Sequence, residues 1–230
     1  MHRLFRSASS PEKARLHMII ILLIGSSVAV SSALLYRSLR GFWSSGNSLM
    51  WDLFLAWIPL TIAYLLRSRQ WTRQWAYYSL LFLWLIFFPN SGYLLTQLTR
   101  HDSAWMFIGF FITFSIVGIF VGTISLLWIH IEVRHRFGPR LGDLFIACAL
   151  ILSGIGVYAG RYIRLNSWDI LVTPLETTRM LVSSLVTPTH FKLVEIWGFI
   201  GVIIFLQSFI YGCMHLATRL IVQESKETSS

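Results

Sequence analysis

Three short segments carry the residues able to hold or transfer a charged group. The first, Phe87-Phe88-Pro89-Asn90-Ser91-Gly92-Tyr93, interrupts an apolar run with a proline, polar side chains and a glycine. Pro89 lacks an amide donor and frees the Leu85 carbonyl, and irregular backbone at membrane depth survives only when buried in protein or lining a wet cavity. Asn90 or Ser91 is also placed to cap a second short helix; a proline kink packed by neighbours is the plainer reading. The second segment, Gly160-Arg161-Tyr162-Ile163-Arg164-Leu165-Asn166-Ser167-Trp168-Asp169, sets two arginines three residues apart, a spacing that shares one helical face. Two such guanidiniums can grip a phosphate or a carboxylate, with Asp169 as a pairing partner for one of them. Snorkelling to headgroup level is the competing reading. In the third segment, Trp51 to Pro59, Asp52 stands beside Trp51 near a helix start, as an interfacial residue or as the partner of a buried arginine. The candidate ligand-binding residues are thus Asp52, Asn90, Tyr93, Arg161, Arg164, Asn166 and Asp169. The ligand they suit is an anionic lipid or a small anion. No catalytic set is assigned.

Other motifs are weaker. His130, Glu132 and His135 come in the wrong order for the H-E-x-x-H zinc pattern, so no metal and no cofactor is predicted. No P-loop, G-x-S-x-G or dinucleotide fingerprint is present. Cys148 and Cys213 lack C-x-x-C spacing and read as small buried apolar residues. Gly118-x-x-x-Gly122 and Gly156-x-x-x-Gly160 are close-packing patterns, and Gln207 reads as an interhelical hydrogen-bonding group.

The elements that must position these residues follow from composition. Of 230 residues, 55% are hydrophobic and 13% charged, about half the charged share of a soluble domain. Mean hydropathy is +0.64. Disorder is excluded, and the apolar runs point to an all-α, polytopic transmembrane bundle. A span needs roughly 20 apolar residues. Six runs qualify, at about Leu16–Tyr36, Met50–Leu66, Trp75–Leu95, Trp105–Ile131 (the longest), Leu141–Gly160 and Val194–Leu216. The first is read as an uncleaved helix, with a signal peptide as the alternative. The net charge of +9 lies in the connections, where it sets topology; no nucleic-acid partner is implied. Twelve basic residues fall on one side and seven on the other, which puts both termini in the cytoplasm. The division is then a basic N-terminus, 1–15; a bundle, 16–218, with an outer loop at 161–193; and a polar tail, 219–230. Within that loop Thr173-Pro174-Leu175-Glu176 is a helix start. Leu175, Thr178, Val182 and Leu185 share a face of a segment too short to span, an interfacial helix or a re-entrant hairpin.

In three places the sequence resembles an uncharacterised bacterial family of integral membrane proteins, domain of unknown function 1361. The likeness is carried by Asp52-Leu-Phe-Leu-Ala-Trp-Ile-Pro59, by Phe88-Pro-Asn-Ser-Gly-Tyr93 with Thr96 and Leu98, and by Gly160-Arg-Tyr-Ile-Arg-Leu-Asn-Ser-Trp-Asp169. Gly92, Gln97 and Arg100 depart from the family's usual proline, acid and histidine, which weakens an acid or metal role there. The resemblance implies a multi-pass protein of a bacterial cytoplasmic membrane and brings no activity with it. Two function classes fit. One is a non-enzymatic protein for transport, lipid binding or assembly, with an outward polar pocket. The other is a membrane enzyme acting on an anionic lipid or lipid-linked substrate, with Asp52 or Asp169 as base and the arginines holding phosphate.

Overall fold

The computed structural model describes residues 45–68, 73–96, 105–186 and 190–227, with six helical positions between 21 and 32. Apolar runs of this length satisfy their backbone polar groups locally, because hydrocarbon offers no hydrogen bonds. The result is α1 (Ser45–Ser68), α2 (Gln74–Phe87), α3 (Pro89–Thr96), α4 (Trp105–Phe137), α5 (Pro139–Tyr158), α6 (Asp169–Val172), α7 (Pro174–Val186) and α8 (His190–Glu227). A π-helical turn, Ala159–Ile163, prolongs α5. No strand occurs among the described residues.

Four stretches are long and apolar enough to cross a membrane: Gln74–Thr96, Ile112–Phe137, Pro139–Ile163 and Lys192–Leu220. Two expected spans are not among them. The first lies mostly outside the described residues, although its described positions are helical. The second is α1, of which only residues 51–68 are fully described. The longest helix is α8, with 38 residues against 33 for α4, because the helix continues through Glu227.

The hub is α4, which packs on α1, α3, α5 and α8 and is buried at every position from Val121 to His130. Indoles supply both bulk and donors to this core. Trp57 Nε1 donates to Ser26 Oγ at 3.0 Å and ties the first expected span to α1. Trp84 is fully buried, stacks on Phe88 and donates from Nε1 to Ser125 Oγ at 2.6 Å. Trp84→Phe removes that donor and leaves the buried Ser125 hydroxyl unsatisfied, at a cost of about 1–3 kcal/mol. A lowered thermal midpoint of the detergent-solubilised variant is the expected result; an unchanged midpoint would show that the bond contributes nothing.

The interruption of the third expected span falls at Phe88, one residue before the predicted Pro89–Gly92 break. Phe88 keeps right-handed helical angles (φ −56°, ψ −38°), so the hydrogen-bond ladder is broken while the backbone stays helical. Pro89 then opens α3 at the helical position where a missing N–H costs least. Side chains serve the carbonyls around the break: Asn90 Nδ2 donates to Phe87 O at 3.0 Å and Ser91 Oγ to Phe88 O at 2.8 Å. Ser115 Oγ reaches across from α4 to Leu94 O at 2.8 Å. Close approach makes this possible, since a Cβ at Gly122 would overlap the Ser91 hydroxyl.

Two details differ from the sequence reading, and a third adds to it. Cys148 and Cys213 are exposed on outward faces of their helices instead of buried. Gln207 lies against Gly92, yet its Oε1 is buried without a hydrogen-bond partner among the described residues. On α7 the face toward the bundle is Thr177, Leu181 and Ser184, with Ser184 Oγ 2.6 Å from the Tyr158 hydroxyl. Leu175 and Val182, on the face picked out by the sequence, are exposed.

A polar cluster pins α4, α5 and α8 together where α5 begins. His130 is 5% exposed, with Asp143 Oδ1 2.8 Å from Nε2 and the Tyr211 hydroxyl against Nδ1. Arg134 Nη1 donates to the same carboxylate oxygen at 3.0 Å, and the His215 ring lies 5.7 Å from that of His130.

Candidate functional site

At the far end of α5 the π-helical turn widens the last coil, and Arg164 closes it in the left-handed region (φ 64°, ψ 33°). Its N–H and that of Leu165 both turn back to Ala159 O, Leu165 at 3.2 Å, the pattern of a left-handed helix cap. Glycine is the usual residue there because it has no Cβ to clash; here the position is held by an arginine. The reversal throws residues 165–168 across α3, where Asn90 Nδ2 donates to Ser167 Oγ at 2.8 Å. One residue on, the Trp168 ring meets Trp51 edge-on at 6.2 Å and draws in the start of α1.

These contacts enclose a cavity of about 430 Å³. Asp52, Asn90, Tyr93, Arg161, Arg164 and Asn166 line it, together with Trp51, Gly160 and Ser167. Asp52, Asn90, Tyr93 and Arg161 are half-buried, while Arg164 and Asn166 are exposed. Two guanidiniums and a phenol around one space form a donor set for a phosphate or carboxylate, and Asp52 adds a carboxylate to the same wall.

Asp169 is not among the lining residues and does not pair with Arg164. Its Oδ2 accepts the Asn166 backbone N–H at 2.7 Å and Asn166 Nδ2 at 3.3 Å, while its own N–H donates to Asn166 O at 3.0 Å. It is a positioning residue that fixes the loop carrying Asn166. The ion pairs His130–Asp143 and Arg134–Asp143 lie at the opposite end of α5. From Asp143 to Arg161 is eighteen residues, roughly 27 Å at the helical rise, close to the depth of a hydrocarbon core.

Ser167 and Trp51 escaped the sequence reading as lining residues, although both sit inside segments it singled out. Their roles arise from pairings with Asn90 and Trp168, distant in sequence, that no local spacing reveals.

A family model described as protein of unknown function (DUF1361) matches residues 51–210. The chain belongs to the DUF1361 family. No curated protein and no solved structure matches it significantly. The matched DUF1361 region contains every lining residue of the polar cavity. Tyr211 and His215 of the opposite cluster fall just past its end. The DUF1361 region also contains Gln97 and Arg100, which lie outside the described residues.

Proposed function

We propose that this DUF1361 chain is a non-enzymatic protein of a bacterial cytoplasmic membrane, with about six spans and both termini inside, whose outward polar cavity binds an anionic group. One observation carries the reading: Arg161 and Arg164 share a single cavity with Asn90 and Tyr93. Lipid binding, alone or as part of transport or assembly, suits that placement best, because a cavity at the end of a span adjoins the headgroup layer. Mass-spectrometric analysis of lipids and metabolites that copurify with the full chain tests it. Enrichment of an anionic species over the bulk membrane is the expected result; a bound pool matching the bulk composition counts against it.

The twelve-to-seven basic asymmetry supports the orientation. Single cysteines placed at Ser48 and Ser230, in a chain with Cys148 and Cys213 replaced, should label from opposite sides of sealed vesicles. Labelling of both from one side would overturn the topology.

A membrane-embedded enzyme for an anionic lipid or lipid-linked substrate is the second reading, favoured by the Asp52 carboxylate in the same cavity as the arginines. Conversion of a lipid phosphate by the wild type and not by Asp52→Asn would establish it.

A further inference from the structure

We infer that the occupant of the polar cavity is a lipid phosphate or carboxylate whose hydrocarbon chain lies in a second, apolar cavity behind the same wall. The inference rests on the anionic reading above and adds to it the place of the lipid's hydrocarbon chain.

The second cavity measures about 320 Å³. Its apolar lining comes from Phe82, Leu85 and Ile86 of α2, Leu152 and Ile155 of α5, and Leu181 of α7. Asn90, Tyr93, Gly160, Leu165, Asn166 and Ser167 line both spaces. The partition between them is slight. At Gly160 it is backbone with no side chain, and an added Cβ there would only reach ordinary contact with the Tyr93 ring, at 3.4 and 3.5 Å. Elsewhere it is formed by Tyr93, Leu165 and Asn166 and by the hydrogen-bonded pair Asn90 and Ser167.

The two spaces differ in what they can hold. A guanidinium pair gains little from a hydrocarbon, and a leucine-lined space gains nothing from a bare anion. One molecule satisfies both only if it carries an anionic head joined to an apolar chain. Contiguity across a shared wall then sets its course, head beside Arg161 and Arg164 and chain running between α2 and α5 beneath α7. The roof is anchored on its inner face by Thr177, 6% exposed, and by the Tyr158–Ser184 hydrogen bond. A helix from a second protein could fill the apolar space as well, but it would leave the continuity with the basic space unexplained.

The test uses the full chain in nanodiscs of phosphatidylcholine and a dodecyl phosphate bearing a photoreactive diazirine at the chain end. Labelled peptides are mapped by mass spectrometry. Labelling is expected at residues 82–86, 152–159 or 177–181. Unlabelled dodecyl phosphate should block it, while dodecanol and inorganic phosphate should need at least tenfold higher concentration. Arg161→Gln with Arg164→Gln should cut labelling at least tenfold. So should Leu152→Trp with Leu181→Trp, which fills the apolar cavity from an exposed and a half-buried position and leaves the arginines in place. Correct folding of each variant is checked by its thermal midpoint and monodispersity.

Arginine-dependent labelling that maps elsewhere, or that survives filling of the apolar cavity, overturns the placement of the chain and leaves the anionic reading standing. Inorganic phosphate competing as well as dodecyl phosphate does the same and assigns the site to a free anion. Labelling indifferent to the arginines, or none in the wild type, overturns both.

Discussion

Arg164→Gly is expected to make the protein more stable and its anionic ligand bind more weakly. The two effects have separate causes. At φ 64° a side chain costs roughly 1–2 kcal/mol through Cβ crowding, and glycine escapes that crowding. The gain is about 1 kcal/mol after the extra chain entropy of glycine is subtracted, read as a higher thermal midpoint. The cap keeps its hydrogen bonds, since both run from backbone N–H groups to Ala159 O. A charge-assisted hydrogen bond contributes roughly 1.5–3 kcal/mol, so losing the guanidinium should weaken an anionic ligand on the order of tenfold to a hundredfold. Arg164→Lys supplies the control: it keeps the strain and the charge and loses only the forked geometry. A strained residue retained where glycine would be easier points to a use for its side chain. Undiminished binding by Arg164→Gly would remove that use, and a lower midpoint would refute the strain.

Gly156→Val should damage stability and binding together. A Cβ at Gly156 would meet Pro89 Cγ at 2.6 Å and Cβ at 2.8 Å, well inside normal contact. The obstacle is a proline ring fixed to the backbone at the first turn of α3, so it cannot swing aside as a flexible side chain would. Relief requires α3 and α5 to separate, at a cost of about 1–3 kcal/mol or more for forced overpacking. The same separation carries Asn90 away from the loop that holds Ser167 and displaces it from Arg161. Binding should then fall at least tenfold although no lining side chain has changed. Wild-type melting and lipid retention in Gly156→Val would mean that the helices part without moving the cavity. Gly160→Ala is the matched comparison, because its Cβ reaches Tyr93 only at 3.4 Å and should be tolerated.

Much of this arrangement could be read from the chain before any coordinates. Long apolar runs dictate helices, and the short run before Pro89 announces an interruption, because proline removes a ladder bond wherever it falls. What could not be read is the manner of repair. Asn90 and Ser91 bend back to carbonyls three residues earlier, so the backbone stays helical where irregular geometry was expected. Asp169 was taken as an arginine partner on proximity in sequence; the turn from Asn166 to Trp168 instead aims its carboxylate at amides within the loop. On α7 the sequence reading grouped Leu175, Thr178, Val182 and Leu185 on one face of an interfacial helix, without saying which face meets the bundle. The face holding Thr177, Leu181 and Ser184 turns inward and leaves Leu175 and Val182 exposed, as an interfacial helix would. Tyr211 and His130, 81 residues apart, show no local pattern that would pair them.

The last helix has a consequence of its own. In the most apolar part of its Lys192–Leu220 stretch only 11% of positions are fully buried by the rest of the chain, which leaves a broad outer face for acyl chains. Its apolar part, about Val194–Leu216, is roughly 34 Å long, against about 30 Å of hydrocarbon. That hydrophobic mismatch must be absorbed by leaning the helix or thickening the bilayer around it. Tyr211 holds it to the bundle through His130, and Ile200 and Ile204 pack against α5 at Gly154, so any lean is constrained at both places. In a bilayer, thickness thereby becomes a mechanical input that this helix would pass to α4 and α5, on which it packs.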